Sequence, residues 1–331
     1  MPRLICDGRE LQLRSGQSVL DALSEAGFDV SSSCRVGACQ SCLVQAVRGA
    51  PPTQAQVGLK DSLRAQGYFL ACQATLTEDL EVSLAGATAL EVPARLVAVE
   101  RLAADVLRIV LESQQAFVYR AGQFLTLLRE DGLARAYSLA SLPSESQLEL
   151  HVRVLPQGAM SNWLASASAV GSRVRLRGPS GDCCYVPGNP GQPLVLVGVG
   201  TGLAPLWGVL REALAARHQG RIELWHAART PEGLYLREEL TALAATHCNF
   251  DYHPCALEPG PTPSAVTLGH LDQLLLKAVP SFAARRVYLC GDAGIVQLLK
   301  RAVFLAGASL QQIHADPFVG AGGSAPSASG S

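Results

Sequence analysis

Cys34-Arg35-Val36-Gly37-Ala38-Cys39-Gln40-Ser41-Cys42 is the stretch from which the rest of the chain can be read. It spaces three thiols as C-x4-C-x2-C, and a fourth, Cys72, follows after 29 intervening residues. That spacing is the plant-type ligand pattern of a 2Fe–2S cluster. Such a group carries one electron at a time, which restricts the chemistry to electron transfer or redox sensing. Gly37 falls in the wide gap, where a tight loop must turn backbone N–H groups toward the cluster sulfurs with no side chain in the way. The competing reading is zinc. Zinc sites are commonly built from two close Cys or His pairs, and here only Cys39 and Cys42 form one. The spacing favours the cluster, with Cys34, Cys39, Cys42 and Cys72 as its metal ligands.

Outward from that loop, residues 1–90 read as a small mixed sheet crossed by one helix, a β-grasp arrangement. LICDG and LQLRSG suggest a hairpin. SVLDALSEAG is a helix opening near Ser18 and closing at Gly27. Short strands follow at CLVQAV, YFLACQA and LEVSL, with Cys72 expected on the late strand. From about Glu91 the pattern becomes evenly spaced β segments: ARLVAVERL, DVLRIVLE, QFLTLLR, ARAYSLAS, QLELHVRVL and SRVRLRG. Six of them with turns between predict a closed antiparallel barrel over 91–188, interrupted by one helix from near Gly158. Beyond the joint VPGNPGQP, the run PLVLVGV is typical of a buried parallel strand. Helices and strands then alternate to RRVYLCG, predicting a doubly wound parallel-sheet α/β domain over 189–319. The last stretch, 320–331, is small and polar and is expected to be disordered.

Composition fits this division. A chain of 331 residues allows two or three domains, and with 48% apolar and 17% charged residues it is ordinary for a soluble globular protein. A net charge of −1 gives no sign of nucleic-acid or anionic-membrane binding. No apolar run reaches the ~18 residues of a membrane span, and MPRLICDGRE lacks a signal-peptide core. Ten cysteines are then expected as reduced thiols, and the location as cytoplasmic. Cys6, Cys183, Cys184, Cys248 and Cys255 show no ligand spacing, and most of them read as small buried residues. His151 lies on a barrel segment without an evident role.

Two further motifs carry chemistry. Gly198-Val199-Gly200-Thr201-Gly202-Leu203-Ala204-Pro205 follows the first parallel strand. Its glycines would let the backbone approach a pyrophosphate at a helix N-terminus, although Leu203 breaks the full G-x-G-x-x-G pattern. In the barrel, Arg135-Ala136-Tyr137-Ser138 offers a planar cation for phosphate and an aromatic face for stacking. Alternation puts Arg135 and Tyr137 on one face and Ser138 on the other.

Taken together and in this order, the motifs resemble the ferredoxin–NAD(P)H reductase superfamily. More narrowly they resemble the iron–sulfur flavoprotein reductase components of bacterial multicomponent oxygenases, of the benzoate dioxygenase, phenol hydroxylase and methane monooxygenase reductase type. The resemblance covers residues 1 to about 319. It implies Arg135 on the diphosphate of FAD, Tyr137 against its ring and Ser138 near its N5. It implies Gly158, Met160 and Ser161 at a helix start that holds the same diphosphate. Gly200, Thr201, Gly202 and Pro205 would take the dinucleotide pyrophosphate, and Arg229 the adenosine ribose. Cys290, Gly291 and Asp292 would border the nicotinamide, and Phe318 would cover the flavin face. With Tyr137, Ser138 and Cys290 nearest the chemistry, the implied function is NADH-dependent electron transfer through FAD and the cluster to a terminal oxygenase. NADH is favoured over NADPH because no cluster of cations awaits an extra phosphate. Alternatives are a reductase for a sugar-deoxygenating dehydratase, or a redox sensor. A membrane quinone reductase subunit shares the domain order but carries an N-terminal membrane helix. The protein is expected to be a monomer, with its partner docking around Arg35, Val36, Ala38 and Gln40.

Overall fold

The computed structural model describes residues 2–261 and 265–320, so the expected disordered stretch from 321 on lies outside the described residues. Three sheets follow one another along the chain. The first contains β1 (Arg3–Cys6), β2 (Arg9–Gln12), β3 (Leu43–Arg48), β4 (Tyr68–Leu70) and β5 (Leu80–Ser83), ordered β2-β1-β5-β3-β4. Helix α1 (Val19–Glu25) crosses it, capped where Ser18 Oγ accepts from the Asp21 N–H at 3.1 Å. Its buried face of Val19, Leu20 and Leu23 packs with Leu4, Phe69 and Leu80. Two short helices, α2 (Asp61–Ala65) and α3 (Ala85–Thr88), fill the connections.

Cys72 does not lie on a strand. Pairing between β3 and β4 stops at Leu70, and the Ala71 N–H donates to the Cys42 carbonyl at 3.0 Å. The chain then makes a 3₁₀ turn, Ala71–Gln73, which swings the Cys72 thiol toward the loop holding the other three.

The second sheet is all antiparallel: β6 (Val92–Ala103), β7 (Val106–Ser113), β8 (Phe124–Leu128), β9 (Ala134–Ser138), β10 (Leu148–Arg153) and β11 (Arg173–Ser180). Their order is β10-β7-β6-β11-β8-β9, and a bridge from Leu139 to Leu150 joins the two edges, closing the predicted barrel. Closure removes unpaired edges, and the interior is filled by Leu96, Ile109, Leu125, Leu150 and Leu176. Helix α4 (Ala159–Leu164) is the interruption predicted after Gly158.

The third sheet is all parallel. Its strands are β12 (Leu194–Val199), β13 (Ile222–Ala228), β14 (Phe250–Ala256), β15 (Thr267–Leu268), β16 (Arg286–Asp292) and β17 (Ile313–Phe318), ordered β15-β14-β13-β12-β16-β17. Helices α5 (Leu203–Ala215), α6 (Arg237–Thr246), α7 (Leu271–Ala278) and α8 (Ala293–Leu305) connect them. The alternation read from the sequence stopped at β16. The structure adds α8 and β17, and β17 becomes the sheet edge beside β16. The order reverses direction at β12, so the carboxyl ends of β12 and β16 flank the crevice where open α/β sheets take ligands.

Candidate functional site

The four cysteines converge as two pairs. The Cys34 N–H donates to Cys39 Sγ at 3.5 Å, and Cys72 follows directly on Ala71, whose N–H bonds the Cys42 carbonyl. Backbone N–H groups of Val36 and Cys39 also donate to Cys34 Sγ, at 3.4 and 3.3 Å. Gln73 Nε2 donates to Cys72 Sγ at 3.4 Å. The partner thiols and these donors pull Cys34 and Cys72 below the usual thiol range despite burial, while Cys39 and Cys42 are pushed above it, so each pair favours one thiolate. Among the described residues no three ligating side chains close on a single point, as a mononuclear metal site would require. Two neighbouring thiol pairs fit a group with two iron atoms, each taking two cysteines, better than one zinc. Gly37 has φ +81°, and a Cβ there would press the Gln73 side chain at 3.1 Å. That explains the glycine in the wide gap.

This loop lies against the barrel. Thr126 Oγ1 donates to the Cys39 carbonyl at 3.2 Å, Ser180 Oγ to Gln40 Oε1 at 2.9 Å and Arg177 Nη1 to the Ser41 carbonyl at 2.9 Å. Val36, Ala38 and Gln40, the expected docking residues, line an open cavity, with Ala38 itself exposed. Arg35 is exposed and paired with Asp21 at 2.8 Å.

The cavity measures about 990 Å³, at the upper end for ligand pockets, and all three units wall it. Cys34 and Cys39 open onto it from the cluster loop, Tyr137 and Ser138 from the end of β9, and Asp292, Asp316 and Phe318 from the parallel sheet. Strand alternation placed Tyr137 and Ser138 on opposite faces. Both reach the cavity because β9 ends there and the chain turns into the Leu139 bridge. Ser138 Oγ donates to Asp316 Oδ2 at 3.1 Å, and burial pushes the Asp316 carboxyl up to about 6 against that bond. Phe318 pairs with Asp292 across β16 and β17, which puts it on the cavity wall.

The glycine turn is a 3₁₀ turn, Gly200–Gly202, running straight into α5, with Thr201 and Ala204 on the cavity wall. Gly200 has φ +57°, and a Cβ on it would overlap the Arg153 guanidinium. A Cβ on Gly202 would overlap the Cys290 carbonyl. The two glycines thus serve different ends: one admits a cation above the turn, the other lets α5 lie against β16. Arg153 pairs with Asp105 at 3.4 Å and lines the cavity. Cys183, read in the sequence as a small buried residue, is another wall residue, and with Asp316, Arg153 is one the sequence did not single out. Its signal was an arginine on a strand ending beside a helix start, common enough to pass unnoticed.

Several expected contacts fall elsewhere. Arg135 donates to its neighbour's carbonyl, Ala134 O, at 2.7 Å and does not line the cavity, because it leaves β9 before the strand reaches the rim. The Ser161 hydroxyl accepts from the Leu155 N–H at 3.1 Å and donates to the Gly158 carbonyl at 3.2 Å, so it braces the loop before α4. Gly158 is needed there because a Cβ would overlap that hydroxyl. Met160 is buried in the barrel core, and Pro205 is buried in the first turn of α5. Cys290 is fully buried behind Cys183, whose Sγ lies 3.2 Å from its own and which does line the cavity. Gly291 has φ +131°, and a Cβ would meet the Val199 carbonyl at 2.6 Å. Arg229 is paired with Glu258 at 3.1 Å rather than free. His151 lines the cavity, held by Glu149 at 2.7 Å and the Tyr235 hydroxyl at 3.1 Å, and burial keeps its ring neutral. Cys248 is exposed, unlike the other non-ligand cysteines.

Comparison with known proteins agrees with this architecture. A family model for the 2Fe–2S iron–sulfur cluster binding domain matches residues 4–77. Models for the oxidoreductase FAD-binding domain and the oxidoreductase NAD-binding domain match 93–185 and 196–301. The chain is 31% identical over 318 residues to the ferredoxin–NAD(P)(+) reductase component of the naphthalene 1,2-dioxygenase/salicylate 5-hydroxylase systems of Ralstonia sp., covering 94% of this chain and 96% of that one. It is 34% identical over 328 residues to the reductase subunit of an aromatic O-demethylase from Amycolatopsis sp., with the same coverage of 94% and 96%. The crystal structure of an Amycolatopsis cytochrome P450 reductase superposes with a TM-score of 0.68 at 32% identity, covering 96% of this chain and 99% of that one. Thiol pairs, barrel and parallel sheet thus occur together, at full length, in proteins of one kind, and the chain belongs to that family, the iron–sulfur flavoprotein reductase components within the ferredoxin–NAD(P)H reductase superfamily.

Proposed function

We propose that the protein is an NADH-dependent reductase that moves electrons through FAD and a 2Fe–2S cluster to a separate terminal oxygenase. One observation carries this reading: a single cavity is walled by ligand cysteines, by the end of the flavin-type barrel strand and by the crevice of the nucleotide sheet. When bound, the flavin takes a hydride from the nicotinamide and the cluster hands electrons on singly. The protein supplies placement. Tyr137 presents its ring to the cavity, and Ser138 is the hydroxyl there able to hold a flavin nitrogen. Asp316, bonded to Ser138, is the group placed to hold or give a proton at that hydroxyl. The turn at Gly200, Thr201 and Gly202 offers backbone N–H groups to a pyrophosphate, with the Arg153 guanidinium above it. Asp292 caps α8 by accepting from the Gly294 and Ile295 N–H groups, which fixes the wall beside Phe318. Arg135 serves the flavin diphosphate only by leaving the Ala134 carbonyl.

NADH is the preferred donor because Arg229 is already neutralised by Glu258, and a carboxylate there opposes a 2′-phosphate. The functional division is 1–90 for the cluster, 91–188 for FAD and 189–319 for NADH. We take the reductase to be cytoplasmic and monomeric; separately, among the described residues no helix is long and apolar enough to cross a membrane. The test is anaerobic titration with NADH. It should bleach the flavin first and the cluster second, released flavin should be FAD, and electrons should reach a one-electron acceptor. Zinc in place of iron, or FMN in place of FAD, overturns the reading.

A further inference from the structure

Three consecutive residues of the cluster loop are held by side chains of a different unit. Thr126 and Arg177 bond the Cys39 and Ser41 carbonyls, and Ser180 bonds the Gln40 side chain between them. Register explains the grouping. Arg177 on β11 pairs with Thr126 on β8, which pairs with Ala136 on β9, so one row across the barrel faces the loop. The next rung of β8 and β9 pairs Leu125 with Tyr137, and the one after pairs Phe124 with Ser138. The ladder that grips the loop is therefore the ladder that presents Tyr137 and Ser138 to the cavity.

Arg177 is the strongest of the three grips. Its guanidinium also pairs with Glu91, which Arg175 bonds from the other side at 2.6 Å, and the Glu91 carboxylate is 4% exposed. Glu91 sits just before β6, where the chain passes from the first sheet to the barrel. A small polar cavity lined by Ser41, Glu91, Arg175 and Arg177 runs along this seam, and Arg177 Nε, buried there, has no protein partner. The pair with Glu91 holds the Arg177 guanidinium against the seam, and removing the arginine would leave the buried Glu91 carboxylate with Arg175 alone. Ser41 completes the link: its carbonyl accepts from Arg177, and its hydroxyl lies 3.0 Å from Cys39 Sγ.

We propose that Arg177, with Thr126 and Ser180, fixes the cluster to the barrel, so that the cluster is a stationary relay whose distance to the flavin the barrel sets, not a swinging carrier. This rests on the function proposed above. Arg177 is a positioning residue: it touches the loop carbonyl and neither the cluster ligands' sulfurs nor the flavin-side residues.

The experiment compares Arg177→Met and Arg177→Lys with the parent protein, all loaded with both cofactors. Iron, sulfide and flavin contents are measured first. Rapid mixing with NADH under anaerobic conditions then separates flavin bleaching from cluster bleaching, and hydrogen–deuterium exchange follows amides 34–42. Arg177→Met should keep the parent's flavin phase and slow the cluster phase at least about tenfold, since small misplacements of reacting groups are costly. Exchange should rise in 39–41 and stay unchanged in α1. Arg177→Lys, which keeps the charge on Glu91, should recover most of the cluster phase. If Arg177→Met does not load both cofactors, Thr126→Val with Ser180→Ala removes two grips without disturbing the charges and decides the matter by the same readings. Normal cluster reduction in a loaded variant, or equal slowing of both phases, overturns the stationary relay while leaving the reductase reading intact. A parent protein lacking flavin or cluster overturns the reductase reading itself.

Discussion

The cluster loop and the glycine turn of the nucleotide unit both bring backbone to a cofactor, yet they reach it by opposite means. In the loop, chemistry resides in side chains at fixed spacing, and the surroundings only orient them. In the turn, chemistry resides in the lack of side chains, and the neighbours decide what each glycine is for. Gly200 yields to Arg153 and Gly202 to the Cys290 carbonyl, although the two are separated by one residue. Losing a ligand should therefore abolish one function cleanly. Losing a glycine should have a cost set by how far the neighbour can move.

The largest effect expected is that of Cys42→Ser. Iron and sulfide should vanish, and delivery to a one-electron protein acceptor should fall more than about a hundredfold, while flavin stays bound in the barrel. Metal analysis and NADH turnover with a two-electron quinone dye check it, and loss of flavin as well would break the contrast between the regions.

Next comes Gly202→Ala. Here the obstacle is strand backbone, so α5 and β16 must part, and we expect about 2–4 kcal/mol of lost stability with a marked rise in KM for NADH. Gly200→Ala meets only the flexible end of Arg153, and its φ of +57° costs about 1 kcal/mol. Urea unfolding of the two variants measures the difference. Equal losses would mean that the turn acts as a single unit.

Asp316→Asn should act through pH. A carboxyl raised to about 6 stabilises the fold fully below its unfolded value near 3.8, and that contribution is lost as pH climbs through 6. The asparagine variant should match the parent near pH 4 and exceed it above pH 7 by at most about 3 kcal/mol. A gap that is independent of pH would show that the Ser138 bond, not the charge, dominates.

The smallest effect is Glu258→Gln. Freeing Arg229 should raise kcat/KM for NADPH about threefold to tenfold with little change for NADH, since the pair is largely exposed. No gain with NADPH would place the specificity elsewhere in the ribose site.

The same contrast governs how much could be read before the structure was known. Cys34, Cys39, Cys42 and Cys72 were legible because ligand spacing is a one-dimensional property. The barrel strands were legible by alternation, and β12 by its continuous apolar run. Arg135 and Ser161 were placed on a phosphate by motif, but their partners, the Ala134 and Gly158 carbonyls, lie within a few residues and compete locally for the same donors. Arg153 and Asp316 escaped notice because each gains meaning from a residue far along the chain, Gly200 for one and Ser138 for the other. The element α8 went unread since AGIVQLLKRAVFL leaves Leu298 and Leu305 exposed, which blurs its helical stripe.

The place of β17 at the edge of the parallel sheet has a consequence for synthesis. Asp316 and Phe318 sit on that strand, so the cavity gains this wall after every other one has left the ribosome. Domains released earlier fold first, and the nascent protein accordingly presents a finished cluster loop and a closed barrel around a crevice still open on one side. A purification tag fused just past Phe318 would therefore sit beside the wall of the cavity that forms last.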